Sequence, residues 1–338
     1  MTAPKAEQRA AMAGRTARPD RRVHECDGCD AWREMSALWR RLQVESARAS
    51  GEWTSSIQSR SHMFVKGKKT ALVTGASSGM GKAIAHRLIQ DGYQVYVAAR
   101  NVDRMADLAL LGAHPLCMDV SRDDDIVAGV NTILAQTGGV DVLVNNAGFG
   151  LYGPIEEIGI HEARYQFEVN LFGAARLTQL LLPAMRSKRA GHIVNITSMG
   201  GKMYSILGAW YHATKHALEG WSDCLRLEVA EFGIKVVIVE PGVIETGFGD
   251  AATDSIAKRS ASGPYGRLVQ MVTKSIDTTY GHGKGSDPRV IADVVSRAVA
   301  SNNPRTRYAA GKFARMLIRM RVWLGDRMFD RIILSQTR

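Results

Sequence analysis

Hydrophobic positions change their rhythm along this chain. Over residues 1–62 they follow no strong period, and that segment is rich in Ala, Arg and Ser. From Lys69 onward, short apolar runs alternate with stretches of helical spacing. The runs predict strands at Thr70–Thr74, Gln94–Ala99, Pro115–Met118, Val140–Val144, Ile193–Ile196, Ile234–Val239 and Arg307–Ala310. The intervening periodicity predicts helices over Lys82–Gln90, near Val102–Leu111, near Asp123–Gln136, over His161–Arg186, from 209 to about Phe232, and from Asp287 to about Ala300. Residues 247–286, rich in Gly, Ser and Thr with scattered apolar positions, read as a long lid or substrate loop. Such alternation specifies an α/β fold, a doubly wound and mainly parallel sheet of about seven strands with helices on both faces.

The pattern divides the chain into an N-terminal extension, 1–62, expected to be disordered, a folded domain, 63–310, and a basic amphipathic tail, 311–338. Charge sharpens that division. The net +11 resolves into +3 over residues 1–62, +1 over 63–304 and +7 over 305–338. A near-neutral central domain argues against a nucleic-acid-binding surface across the protein. No apolar run reaches eighteen residues, and the first residues lack the apolar segment of a signal peptide. Four scattered cysteines are too few for a disulfide framework, which fits a reducing cytoplasm. His24, Cys26 and Cys29 lack a second ligand pair, so no metal is expected.

Candidate chemistry gathers where predicted strands end. After the first strand, G-A-S-S-G-M-G places Gly75, Gly79 and Gly81 where a helix begins, so backbone N–H groups can meet a pyrophosphate. The second strand ends at Arg100, where an acidic residue would bind the 2′-hydroxyl of NAD and a cation could pair with a 2′-phosphate. Asp119-Val120 and N-N-A-G at 145–148 end two further strands, and Asn170 sits inside an apolar helical run. Ser198 follows the strand at 193–196, and Tyr211 and Lys215 lie four apart, on one helix face. A phenol is a poor acid–base group at neutral pH, and an ammonium one turn away is expected to draw its pKa down.

These residues, in this order and spacing over about 63–310, resemble the short-chain dehydrogenase/reductase family, through T-G-A-S-S-G-M-G (74–81), D-V (119–120), N-N-A-G, Asn170, Ser198, Y-H-A-T-K (211–215) and P-G-V-I-E-T (241–246). The segments 148–157 and 326–334 resemble its branches related to hydroxysteroid and retinol dehydrogenases. The resemblance implies a Rossmann fold and a set of roles. Tyr211 would donate or accept the proton, Ser198 would anchor the substrate oxygen, Lys215 would hold the nicotinamide ribose, and Asn170 would hold a water linking Lys215 to solvent. Gly75, Ser77, Ser78, Gly79, Met80 and Gly81 would line the pyrophosphate loop, and Asp119 and Val120 the adenine. Asn146, Ala147 and Gly148 would span adenosine and nicotinamide, Thr246 would meet the carboxamide, and Pro241, Gly242 and Val243 would also bind the cofactor. Arg100 stands where members preferring NADP(H) over NAD(H) keep a basic residue.

The implied activity is NADP(H)-dependent transfer of hydride to or from a hydrophobic alcohol or ketone. Alternatives are a dinucleotide-binding regulatory protein without turnover, or an epimerase or dehydratase on the same fold. The substrate wall is expected to include Phe149, Leu151, Tyr152, Met203, Tyr204, Ile206, Leu207 and the 247–286 loop. A homodimer or homotetramer is expected through the long helices, using Leu177, Leu180, Leu181, Leu182, Leu218, Trp221 and Leu225. In the tail, Phe313, Met316, Leu317, Met320, Trp323 and Leu324 form one stripe flanked by arginines. Either this stripe lies against a membrane surface, making the cytoplasmic protein peripheral, or it packs over the substrate crevice or a partner subunit. The second reading is preferred, because the long loop needs a cover.

Overall fold

The computed structural model describes residues 68–257, 263–280 and 283–335. The N-terminal extension, with its three candidate metal donors, lies outside these residues. The first strand, β1 (Thr70–Thr74), is buried at every position, as a central strand covered on both faces must be. Helix α1 (Gly79–Gln90) begins inside the glycine loop, earlier than its apolar periodicity suggests. Next come β2 (Gln94–Ala99), a tight turn at Asp103–Met105, the short α2 (Ala106–Leu110) and β3 (His114–Cys117). Helix α3 (Asp123–Thr137) carries Asp123, Asp124 and Asp125 in its first turn, where negative charge complements the helix dipole.

Beyond β4 (Val142–Asn145), the predicted long helix is two: α4 (Ile160–Phe167) and α5 (Gly173–Lys188), joined by a π turn at Glu168–Phe172 that contains Asn170. Strand β5 (Gly191–Ile196), helix α6 (Ala209–Glu228) and strand β6 (Ile234–Pro241) follow. The strands pair in the order β3-β2-β1-β4-β5-β6, with β7 (Arg307–Ala310) beyond β6, and every pair is parallel. This is a Rossmann fold. Strand order reverses between β1 and β4, which opens a crevice at the strands' C-terminal ends. Helices α3, α5 and α6 bury Val130, Ile133, Leu177, Leu181 and Leu225 against one face of the sheet. On the other face α1 packs with α9 (Arg289–Ala300), a contact that includes an Arg87–Asp293 ion pair.

Two expectations change. The stretch read as a loop holds helices α7 (Phe248–Ala257) and α8 (Gly266–Tyr280). Its Ser, Thr and Gly residues masked an apolar face made of Ala252, Ile256, Val269 and Val272, which packs on Tyr152, Leu207 and Tyr211. The leucines assigned to an oligomer interface turn inward. Leu177, Leu181, Leu218 and Leu225 are buried, and Leu180, Leu182 and Trp221 pack against the same core. The exposed apolar positions of α4 and the π turn are instead Ile160, Tyr165 and Phe172.

The tail forms α10 (Ala314–Ser335), broken at Gly325, whose φ of 66° and ψ of 177° leave the helical region. Phe329 and Ile333 pack with Met203, with Leu317 and Met320 against the same cluster. Arg321 lies over the rings of Tyr204 and Phe329, at 5.2 and 5.8 Å, and the Tyr204 hydroxyl donates to Asp330 at 2.8 Å. No described helix is long and apolar enough to cross a membrane.

Candidate active site

Every residue singled out for chemistry lies at or just beyond the C-terminal end of a strand, or on the helix and turn facing those ends. In the glycine loop, Gly75 and Gly79 have φ of +65° and +53°, a backbone conformation that side chains disfavour. A Cβ on Gly81 would sit 2.3 Å from the Gly75 carbonyl oxygen. Ser77, Ser78 and Met80 complete the loop, and the Ser78 side chain makes no capping hydrogen bond, leaving the first N–H groups of α1 available to an anion. The N-N-A-G segment braces this cradle. Asn146 Nδ2 donates to the carbonyls of Thr74 and Gly75 at 2.9 and 3.3 Å, and the Asn146 and Ala147 N–H groups donate to Thr74 Oγ1 at 3.0 Å. Beyond β6 and its Pro241-Gly242-Val243 turn, Thr246 closes over the loop, its Cγ2 3.1 Å from where a Gly79 Cβ would stand. These features fit a dinucleotide.

Arg100 ends β2 in an exposed position, its NH1 donating to the Tyr165 hydroxyl at 3.3 Å. Asp119, after β3, accepts from the N–H and hydroxyl of Ser121 at 2.9 and 2.7 Å. Val120 lies beside Gly173, where a Cβ would meet the Val120 carbonyl oxygen at 2.2 Å.

Strand β5 delivers Ser198 to the same crevice, and α6 brings Tyr211 and Lys215 against it. Ser198 Oγ accepts from the Gly200 N–H at 3.0 Å. Lys215 Nζ donates to the Ile196 carbonyl at 3.0 Å. A Gly148 Cβ would lie 3.1 Å from Asn170 Oδ1 and 3.6 Å from Lys215 Nζ, so the N-N-A-G end, the π turn and α6 converge on one point. Asn170 Oδ1 accepts from the Phe149 N–H, and its Nδ2 donates to the Phe149 carbonyl and Thr214 Oγ1, each at 3.0 Å. Both amide N–H bonds are thereby committed, leaving Oδ1 or the main chain of the turn to meet a water.

The expected depression of the phenol pKa is not what the protein alone provides. Burial pushes Tyr211 up to about 12, opposed by the neighbouring Ser198 side chain, and pushes Lys215 down to about 8, opposed by Glu219. Removing water penalises both phenolate and ammonium, and Lys215 is spent on a carbonyl. His212, with its pKa lowered to about 4 by burial, is neutral; its Nδ1 meets the Gly200 carbonyl at 2.8 Å and its Nε2 accepts from the Ser205 N–H at 3.0 Å.

Tyr211 and Ser198 open onto a cavity of about 450 Å³. Tyr152, Met203 and Ile206 line it as expected, whereas Phe149, Leu151, Tyr204 and Leu207 are not among its lining residues. Helices α7 and α8 contribute Phe248, Ala252, Val272 and Ile276, and the tail segment contributes Phe313, Met316, Leu317 and Ile333. The tail therefore covers the crevice, as preferred from its sequence.

Sequence reading missed a buried charge cluster behind Lys215. Glu219 Oε1 accepts from Thr197 Oγ1 at 2.6 Å, and its Oε2 pairs with Lys202 Nζ at 2.9 Å and Arg307 Nε at 3.1 Å. Glu219 stands one turn beyond Lys215, the only hint the sequence offered. Glu240, on β6, lies 3.5 Å from Arg307, yet its buried Oε1 has no hydrogen-bond partner.

A family model described as short chain dehydrogenase matches residues 69–256. The chain belongs to that family. It is 34% identical over 263 residues to the 3-ketodihydrosphingosine reductase of Bacteroides thetaiotaomicron, covering 77% of this chain and 94% of the relative. Bovine (Bos taurus) retinol dehydrogenase 8 is 31% identical, covering 71% of this chain and 80% of its own. A short-chain dehydrogenase from Streptomyces avermitilis, solved by crystallography, superposes with a TM-score of 0.67 at 35% identity, covering 81% of this chain and 96% of that one. Actinorhodin polyketide ketoreductase solved with NADPH is 32% identical with a TM-score of 0.61, covering 71% and 94% of the two chains. A family member from Burkholderia phymatum solved with NAD is 26% identical with a TM-score of 0.65, covering 81% and 97%.

Burial, reinforced by the charge of Glu219, raises Glu240 from its ordinary 4.5 to about 7. Between those values the folded chain keeps a proton that the unfolded chain has released, so stability falls as pH rises from about 4.5 to about 7. Glu240→Gln should leave stability near that of the parent at pH 5 and raise it at pH 8 by on the order of 2–3 kcal/mol. Urea unfolding of both proteins at the two pH values measures this, and an equal difference at both would contradict it.

Proposed function

We propose that this protein is an NADP(H)-dependent oxidoreductase acting on a hydrophobic alcohol or ketone, with Tyr211 as proton donor and acceptor. One observation carries the reading. The hydroxyl-bearing side chains of Tyr211 and Ser198 stand together in the wall of an otherwise mainly apolar cavity, Tyr211 one helical turn from buried Lys215.

In the reducing direction the Ser198 hydroxyl holds the carbonyl oxygen beside the phenol. Tyr211, kept protonated by burial, gives its proton to that oxygen as the carbon is reduced. A bound nicotinamide supplies the hydride in this direction and takes it up in the other. Lys215 would hold the ribose and offset the negative charge left on the phenolate. Asn170 fixes the Phe149 backbone against α6, keeping the crevice floor in register. The apolar wall admits a hydrophobic chain and excludes water from the reacting oxygen.

The names of the relatives support the substrate class, since they speak of a keto compound and of retinol. Solved neighbours hold either NADPH or NAD, so the preference rests on Arg100. A guanidinium at the end of β2 complements a 2′-phosphate.

Purified protein with NADPH and ketones of increasing apolar length should consume the cofactor's absorbance, fastest with the hydrophobic ones. No change with any ketone, or with alcohols and the oxidised cofactors, would overturn the reading. In the same assay Arg100→Asp should lower the NADPH/NADH efficiency ratio by roughly thirtyfold or more, about 2 kcal/mol of lost pairing and new repulsion. An unchanged ratio would make Arg100 a bystander.

A further inference from the structure

Helix α10 has two faces with different chemistry. Its inner face closes the pocket through Leu317 and Ile333 and packs Met320 and Phe329 against the domain. Its outer face has nothing described over it. There Trp323 is 84% exposed and Val322 71%. A lone exposed apolar side chain is ordinary, but an exposed tryptophan beside a valine on one helix is a concentrated apolar surface.

Basic charge is interleaved with it. Arg315, Arg319, Val322 and Trp323 fall at spacings of four, seven and eight residues, which places them on one side of the first half of the helix. Arg327 and Arg331 continue exposed beyond the break at Gly325. Arg319, Arg327 and Arg331 have no acidic partner among the described residues. The acidic groups of this segment are already engaged, Asp326 by Arg321 at 2.6 Å and Asp330 by the Tyr204 hydroxyl at 2.8 Å.

We propose that this outer face seats the protein on an anionic lipid bilayer, with the pocket's tail-side wall resting at the membrane surface. The charge pattern selects this occupant over a second copy of the chain, because a twofold contact through this face would set its arginines against the same arginines. An anionic headgroup layer pairs with the guanidinium groups, while tryptophan and valine reach the apolar boundary beneath. The helix lies along the surface, since no described helix can cross. Docking rests on this face alone. Its consequence, transfer of a hydrophobic substrate from the bilayer past Met316 and Leu317, rests on the function proposed above.

The test is sedimentation of the full chain with vesicles of phosphatidylcholine alone and with phosphatidylglycerol added, at low and high salt. It compares the parent with the double variant Val322→Glu, Trp323→Glu. The parent should pellet with the phosphatidylglycerol vesicles, less so at high salt. The variant should lose at least tenfold in partitioning while keeping the parent's thermal midpoint and its turnover of a water-soluble ketone. Absence of pelleting with anionic vesicles, or equal pelleting of parent and variant, overturns the proposal. So does a parent that ignores vesicles but forms a dimer that the variant loses by light scattering, which would assign the face to a second copy. Neither failure touches the ketone assay, so docking and catalysis fail separately.

Discussion

The Lys215 ammonium, buried beneath the crevice and held to the Ile196 carbonyl at 3.0 Å, is the constraint that the rest of the site answers to. A charge taken out of water must be compensated or lost. Its carbonyl partner sits on the last residue of β5, so the bond fixes α6 against the strand that carries Ser198. Glu219, one turn further along α6, supplies the negative charge that opposes the fall in the Lys215 pKa. Glu219 is itself buried and has to be satisfied, which draws in Thr197, Lys202 and Arg307. Through Arg307 the chain of compensation reaches β7, and through Thr197 it returns to the residue before Ser198. Ser198 is thus braced by groups that do not themselves line the cavity.

That arrangement explains which parts could be read from the chain. Strands Thr70–Thr74, Gln94–Ala99 and Arg307–Ala310 fall where the apolar runs place them, because each run is short and bounded by turn residues or charge. The glycine loop, N-N-A-G, Ser198, Tyr211 and Lys215 are each local motifs at strand or helix ends, so spacing alone gathers them. Glu219, Glu240 and Arg307 are not local. Arg307 stands 88 residues from Glu219; the parallel register of β6 with β7 sets Arg307 beside Glu240, and the packing of α6 against β6 brings Glu219 to both. Helices α7 and α8 were hidden for another reason: over residues 247–286 Gly, Ser and Thr outnumber the apolar residues, and the narrow apolar stripe buries itself against Tyr152, Leu207 and Tyr211.

Pocket and tail show how tertiary context divides one amphipathic pattern. The stripe read as continuous from Phe313 to Leu324 splits, with Leu317 and Met320 turned to the domain and Trp323 to the outside. A helix that covers an apolar crevice needs only one apolar side, and the second side accounts for the tail's excess of basic charge. The cavity's walls come from elements far apart in sequence. On the proposed function, substrate selectivity would belong to the α7, α8 and tail segments, and the proton chemistry to Ser198 and Tyr211.

The central claim is that one phenol carries the proton while the cofactor cradle stands independently of it. Tyr211→Phe tests this directly, because the ring keeps its packing against Tyr152 and Phe248 and loses only the hydroxyl. NADPH titration followed by fluorescence, paired with steady-state ketone reduction, should give a dissociation constant within about twofold of the parent and a turnover lower by about a hundredfold or more. Turnover near that of the parent, with cofactor bound, would contradict the account.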